Sequence, residues 1–301
     1  MTILVAGATG NIGREVIAGL VARGATVRAL VRSPAGAAQL PNEVEPVLGD
    51  LRDARSVEDA LTGVSAALYV SPHDPDEVQL AKIFVSACER LDVRLVFAGV
   101  AVTAQNPLLR WGMRALVNAF LPHYRGKLRI AKRIGRAVRT RPVILGLANY
   151  YQNDELIRDE ILAGAYCLPA HRSGVNRVDL RDVGEIAARA LIDPAFPAGA
   201  YGLVGPASVS GVEAAATWSR VLHRPVVYDG DRPGRPDVLA RHLDGPKLAD
   251  YRRSYAFLGK HGVPTSRRDV AVTTDLLGRP PRDYEAFVRD TARRWGALQQ
   301  A

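Results

Sequence analysis

Several function classes are closed off by what this chain does not contain. Only two cysteines, Cys88 and Cys167, occur in 301 residues. They lie far apart without CxxC spacing, which excludes a disulfide framework and gives a zinc site no thiolate pair. Both read as small buried apolar residues. The six histidines are scattered, and no HExxH, GxxxxGK[ST] or GxSxG segment occurs, so no metal, phosphate-loop or nucleophile-elbow chemistry is expected. There is no run of about 18 apolar residues, and the start has no basic segment leading into an apolar stretch and cleavage site. The expectation is a cytoplasmic protein without membrane association. Internal repeats and low-complexity tracts are also absent.

Acidic residues are outnumbered, 31 against 40 Lys and Arg, for a formal net charge of +9. Such a balance raises nucleic acid as a partner. The distribution argues against it, because arginines are spread over nearly every helical stretch and only Arg125 to Arg141 and Arg252 to Arg268 are dense. Neither stretch reads as a helix-turn-helix, zinc finger or RNA-stacking motif. A basic surface that attracts anionic small-molecule substrates is the reading, with no nucleic acid expected.

With 48% hydrophobic residues the chain can bury a large core. Six strand-like segments alternate with helical ones: Ile3 to Ala6, Thr26 to Val31, Val44 to Leu48, Ala66 to Val70, Arg94 to Ala98 and Val143 to Leu147. Alternation of this kind predicts an α/β fold, a Rossmann-like doubly wound parallel sheet, with a smaller C-terminal substrate lobe. The expected division is 1–148 as the sheet domain, with 177–205 returning to it through a helix Leu180 to Ile192 and a strand Tyr201 to Val204. Residues 149–176 and 206–301 would build the substrate lobe, with helices near Val212 to Leu222, Pro246 to Leu258 and Asp283 to Trp295.

The first strand runs into Gly7-Ala8-Thr9-Gly10-Asn11-Ile12-Gly13 and a helix with apolar positions Ile12, Val16, Ile17, Leu20 and Val21. Strand, glycine turn and helix in that order predict a pyrophosphate site on the helix N-terminus. The GxxGxxG spacing is one residue wider in its first interval than GxGxxG. Gly7, Thr9, Gly10, Asn11 and Ile12 are the expected cofactor contacts. Nineteen positions after Gly13, at the end of the second strand, stands Arg32 rather than an acidic residue. A carboxylate there would grip a ribose 2′-hydroxyl, whereas a guanidinium pairs with a 2′-phosphate, so the cofactor expected is NADP(H). Arg28, inside the strand, is the weaker candidate.

Ligands of open α/β sheets bind outside the carboxyl ends of the strands. Suspects there are Asp50 and Leu51, the rigid turn Ser71-Pro72-His73-Asp74-Pro75, Gly99 to Ala101, and the turn Asn149 to Asn153. Asp50 could accept from the adenine amino group or cap the next helix, a role Asp53 fills more naturally. Ser71 is expected beside the cofactor's ribose or nicotinamide, and Asn149 and Tyr150 at the cofactor as well. With Tyr151 and Asn153 they would suit a flat, aromatic substrate. Residues 103–122 read as an amphipathic helix, either a packed or homodimer surface or a substrate lid or interfacial helix.

The glycine loop, Val27-Arg28-Ala29-Leu30-Val31-Arg32 and Gly49-Asp50-Leu51 together resemble the NmrA-like atypical short-chain dehydrogenase/reductases. His123-Tyr124-Arg125-Gly126-Lys127 is similar to that group's His-x-x-x-Lys helix, and Asn149 to Asn153 and Val178 to Val183 to its later segments. The resemblance implies NADP(H) binding, and either reduction of quinones and other carbonyl or unsaturated compounds or a redox-sensing role through a protein partner. Ordinary short-chain reductases use Tyr-x-x-x-Lys and a serine after the fifth strand. Here position 123 is His, and no hydroxyl follows the strand until Thr103. The i,i+4 spacing predicts His123 and Lys127 on one helical face, with Lys127 on the nicotinamide ribose, His123 as donor or relay, and Tyr124 as fallback acid.

Overall fold

The computed structural model describes residues 1–100, 121–147, 149–232, 234 and 237–298, with 108, 111, 112, 115, 117 and 119 as isolated positions. Those six are helical; of the amphipathic segment expected over 103–122, Leu121 and Pro122 are also described, and the remaining positions, with Ala101, lie outside the described residues. The chain divides into two compact units, residues 1–147 with 180–203 and residues 148–179 with 204–301.

In the first unit, strands β1 (Thr2–Ala6), β2 (Thr26–Val31), β3 (Val44–Leu48), β4 (Ala66–Tyr69), β5 (Arg94–Gly99), β6 (Val143–Gly146) and β7 (Gly199–Gly202) form one sheet. Their order is β3-β2-β1-β4-β5-β6-β7, and every pairing is parallel. The order reverses between β1 and β4, where Ala6 lies opposite Tyr69. Such a switch point leaves a crevice at the strands' carboxyl ends.

Successive side chains alternate between the two faces. Leu4, Ala6, Ala67, Tyr69, Leu95 and Phe97 join one core with helices α2 (Ala54–Leu61), α3 (Glu77–Arg90) and α4 (Arg125–Ile134). Ile3, Val5, Leu68 and Val96 are equally buried on the other face, against helices α1 (Asn11–Val21) and α5 (Leu180–Ile192). Cys88 belongs to the first core and Cys167 to that of the second unit. Burial pushes the Cys88 thiol well above its ordinary value, so it packs as an inert small residue.

The last strand of the sheet differs from expectation. It spans Gly199–Gly202 rather than Tyr201 to Val204, because Val143 pairs with Gly199 and Gly146 with Gly202. Leu203 extends the ladder by one bond, its N–H donating to the Gly146 carbonyl at 3.0 Å.

The second unit carries helices Gly211–Leu222, Gly245–Lys260, Arg267–Leu277 and Tyr284–Arg294 and two short two-stranded sheets. Trp218 stacks on Trp295 with ring centroids 4.9 Å apart, and Tyr151 packs against Tyr284 and Phe287. At its centre Asp154, fully buried, pairs with Arg177 at 2.6 Å.

Candidate cofactor and active site

The glycine loop has the conformation its residues imply. Gly7 has φ of 89°, a left-handed value that a side chain would strain. The Gly10 N–H donates to the Gly7 carbonyl at 3.1 Å, and Gly10 then caps α1 without a side-chain hydrogen bond. No acidic residue occupies the first turn of α1, so its amides and positive dipole end are left for an outside anion. A Cβ on Gly13 would lie 2.2 Å from the Gly7 carbonyl oxygen, so the helix meets the loop at backbone contact. Thr9 and Ile12 are half-buried, while Gly10 and Asn11 are exposed at the rim. Val70 continues the β4–β1 ladder by donating to the Ala6 carbonyl at 3.2 Å. That bond sets Ser71 beside the loop. The arrangement fits a dinucleotide pyrophosphate.

At the end of β2, Arg32 is exposed and makes no hydrogen bond or ion pair among the described residues. Ser33 is occupied, accepting from the Gly36 amide at 3.2 Å. Arg28, by contrast, already donates to Glu45 and to the carbonyls of Ala60 and Thr62. Asp53, not Asp50, caps α2, accepting from the Arg55 amide at 2.9 Å. Asp50 instead closes a tight turn by accepting from the Arg52 amide at 2.9 Å. Leu51 packs half-buried on the core. Sequence reasoning missed Arg14, in the first turn of α1, which hydrogen-bonds Gln39 beyond β2 at 3.0 Å.

A buried polar cluster sits past the ends of β4 and β5. The Lys127 ammonium donates to Glu77 Oε2 at 2.8 Å, and the Ser71 hydroxyl donates to the same oxygen at 3.1 Å. Glu77 was not singled out from the sequence. Its signal was a glutamate on the apolar stripe of α3, in line with Leu80, Ala81, Phe84 and Cys88. Nearby, one Arg52 amino nitrogen donates to both carboxylate oxygens of Asp74, at 2.9 and 2.7 Å. Hydrogen bonds from Arg52 and the Asp76 amide hold its carboxyl below the usual range, with a smaller contribution from the Arg32 charge.

His123 and Lys127 do not share the one α-helix that their i,i+4 spacing predicts. Pro122, His123 and Tyr124 make a separate 3₁₀ turn, and α4 starts at Arg125. Pro122 favours a new start, having no N–H to give and a fixed φ. The His123 side chain lies outside the described residues, and Tyr124 is half-buried.

The Asn149 to Asn153 turn belongs to the second unit. Tyr150 shares a 2.6 Å hydroxyl contact with Tyr251. Burial raises the Tyr150 phenol, and the bond to Tyr251 partly offsets it. Asn153 donates to the Asn149 side-chain oxygen at 3.2 Å and accepts from Tyr251 at 3.4 Å. Tyr151 is not a pocket residue: it is fully buried in the core, beneath the Arg177 guanidinium.

A profile of the NAD(P)H-binding family matches residues 7–159, just over half of the chain, from the glycine loop through Lys127 to the Asn149 turn. The chain belongs to the NAD(P)H-binding family. It is 29% identical to an NAD(P)H azoreductase of Xenophilus azovorans, over 96% of this chain and 91% of that one. It is also 29% identical to a (4-alkanoyl-5-oxo-2,5-dihydrofuran-3-yl)methyl phosphate reductase of Streptomyces griseus, over 96% and 98%. The fold matches the triphenylmethane reductase of Citrobacter sp. in complex with NADP(H), with a TM-score of 0.71 and 22% identity over 96% and 99% of the two chains. With reductases aligned along nearly its whole length, the family member is an NAD(P)H-dependent oxidoreductase. No described helix is long and apolar enough to cross a membrane.

Proposed function

We propose that the protein is a reductase that prefers NADPH and delivers hydride to a small, flat, conjugated acceptor such as a quinone, an azo compound or an enone. The observation that carries this reading is the uncapped N-terminus of α1 behind Gly7, Gly10 and Gly13. When bound, NADPH supplies the hydride, and the chain's own residues bind, orient and manage the proton. Thr9, Gly10, Asn11 and Ile12 hold the pyrophosphate on backbone amides, Arg32 pairs with the 2′-phosphate, and Asp50 and Leu51 flank the adenine. Ser71 and Lys127 serve the nicotinamide ribose. His123 and Tyr124 pass a proton from water to the reduced acceptor, which needs one proton for each hydride it accepts. Within the second unit, the Tyr150 and Tyr251 rings stand with the Asn149 and Asn153 amides, a grouping of aromatic faces with donors and acceptors that suits a planar compound.

The reading is tested by following NADPH oxidation against a panel of quinones, azo dyes and enones while titrating cofactor affinity in parallel. Acceptor-dependent oxidation supports the reductase. Tight NADPH binding with no turnover on any acceptor would instead favour a redox sensor, the role to which the missing hydroxyl after β5 points.

Arg32→Ala is expected to weaken NADPH binding by about 1.5–3 kcal/mol, the range for hydrogen bonds to charged groups, and to leave NADH binding nearly unchanged. Equal losses for the two cofactors would remove Arg32 from the 2′-phosphate site.

A further inference from the structure

Three unfavourable choices meet at one point in the first unit. Glu77 puts a carboxylate on the apolar stripe of α3, and Lys127 brings an ammonium to it; their side chains are only 11% and 7% exposed. A buried ion pair contributes little stability compared with apolar residues of the same size. The third choice is Gly126, within α4, where glycine costs about 1 kcal/mol relative to alanine. Its missing side chain is what admits the carboxylate, since a Cβ there would stand 2.1 Å from Glu77 Oε1 and 3.1 Å from its carboxyl carbon. Packing alone would favour an apolar residue at 77 and alanine at 126. The pair also lies past the carboxyl ends of β4 and β5, next to the switch point where open α/β sheets bind ligands.

We infer that Glu77 is a positioning residue for Lys127: sharing one oxygen between the Ser71 hydroxyl and the Lys127 ammonium, it fixes that ammonium beside the cofactor crevice and balances its charge inside the protein. This rests on the assignment of Lys127 to the cofactor's ribose. An ammonium carries three donors. Among the described residues one is committed, to Glu77, and the other two would serve ribose hydroxyls. Without the carboxylate, the ammonium loses the partner that holds it, and Lys127 loses its place beside the crevice.

Other titratable groups surround the pair. Tyr69, on β4, has a buried hydroxyl with no hydrogen-bond partner, pushed up by burial and further by the Glu77 charge. His73 and Asp74 stand in the loop between β4 and α3, with Arg52 on Asp74. His123, Tyr124 and Arg125 precede Lys127 in the chain. A Lys127→Met background separates Lys127 from all of them.

The test measures NADPH affinity by fluorescence titration beside a thermal melt of each variant. Glu77→Gln should bind NADPH about 10-fold more weakly, and Glu77→Asp, which restores the carboxylate, should recover most of that loss. Glu77→Gln in the Lys127→Met background should be no weaker than Lys127→Met alone, because both changes remove the same contact. Gly126→Ala displaces the carboxylate without altering it and should reproduce the weakening even where Glu77→Gln fails to fold. A folded Glu77→Gln or Gly126→Ala protein with wild-type affinity would overturn the inference, as would additive losses in the double variant. Those results leave the cofactor assignment standing, whereas a wild-type chain that binds no NADPH overturns both.

Discussion

Gly13→Ala is expected to lower NADPH affinity by more than about 100-fold, or about 2.8 kcal/mol, while the protein stays folded. The added methyl would fall 2.2 Å from the Gly7 carbonyl oxygen, 2.8 Å from its carbon and 2.9 Å from the Ala8 Cα. All three are backbone atoms, so no side-chain rotation relieves the overlap and the loop must separate from α1. Separation breaks the hydrogen bond from Gly10 to the Gly7 carbonyl and spreads the amides that converge on the phosphate. Elsewhere in a helix the same substitution is favoured by propensity, so the sign of the effect reports the contact itself. Cofactor titration and a thermal melt together decide the matter. Wild-type affinity in a well-folded Gly13→Ala protein would mean that the pyrophosphate does not sit on this helix.

Asp154→Ala should be the most destabilising single change in the second unit, by about 3–5 kcal/mol. One oxygen of this fully buried carboxylate accepts from the Tyr166 hydroxyl at 2.9 Å and from Arg177 at 2.6 Å. The other accepts from Trp218 Nε1 at 3.0 Å and from the Tyr284 hydroxyl. Burial raises Tyr166 and Tyr284 well above the ordinary phenol value, so both remain protonated donors. Removing the carboxylate strands these donors and leaves the Arg177 guanidinium buried without its counter-ion, a much larger penalty than the net worth of the pair. Urea unfolding followed by tryptophan fluorescence would register the loss directly, because Trp218 both binds Asp154 and stacks on Trp295. A loss below about 1 kcal/mol, the worth of an ordinary net hydrogen bond, would show that the Tyr151 and Tyr284 rings around Arg177 suffice to hold the charge.

The two variants probe features of very different legibility. The glycine loop can be read from the chain because its physics is local: a strand, a turn needing a positive φ, and a helix start lie within thirteen residues. The six sheet strands expected from apolar runs appear with boundaries shifted by at most a residue at either end, since a parallel sheet buried on both faces demands continuous apolar segments. The Asp154 network joins residues at 154, 166, 177, 218 and 284. Nothing in the local pattern around any one of them pointed to the others.

Helix α4 shows the same limit within a few residues. Spacing alone put His123 and Lys127 on one face, but the break between the Pro122–Tyr124 turn and α4 depends on how that stretch meets the sheet. Lys127 could be singled out in the sequence, while its partner could not, because Glu77 lies 50 positions away. Likewise Tyr150 and Tyr151 are adjacent and chemically alike. One pairs its hydroxyl with Tyr251 and the other disappears into the core, a distinction made by the direction in which each side chain leaves the backbone.

What the chain by itself determined is therefore the α/β class, the alternation that builds the sheet, the phosphate loop and the cation at the end of β2, each written in residues that are neighbours in sequence. Only the tertiary structure decided which buried charges meet, which strand arginine spends its guanidinium on neighbouring groups, and which tyrosine is scaffold. Those outcomes depend on long-range packing, in which burial forces each polar group to find a partner wherever the fold brings one within reach.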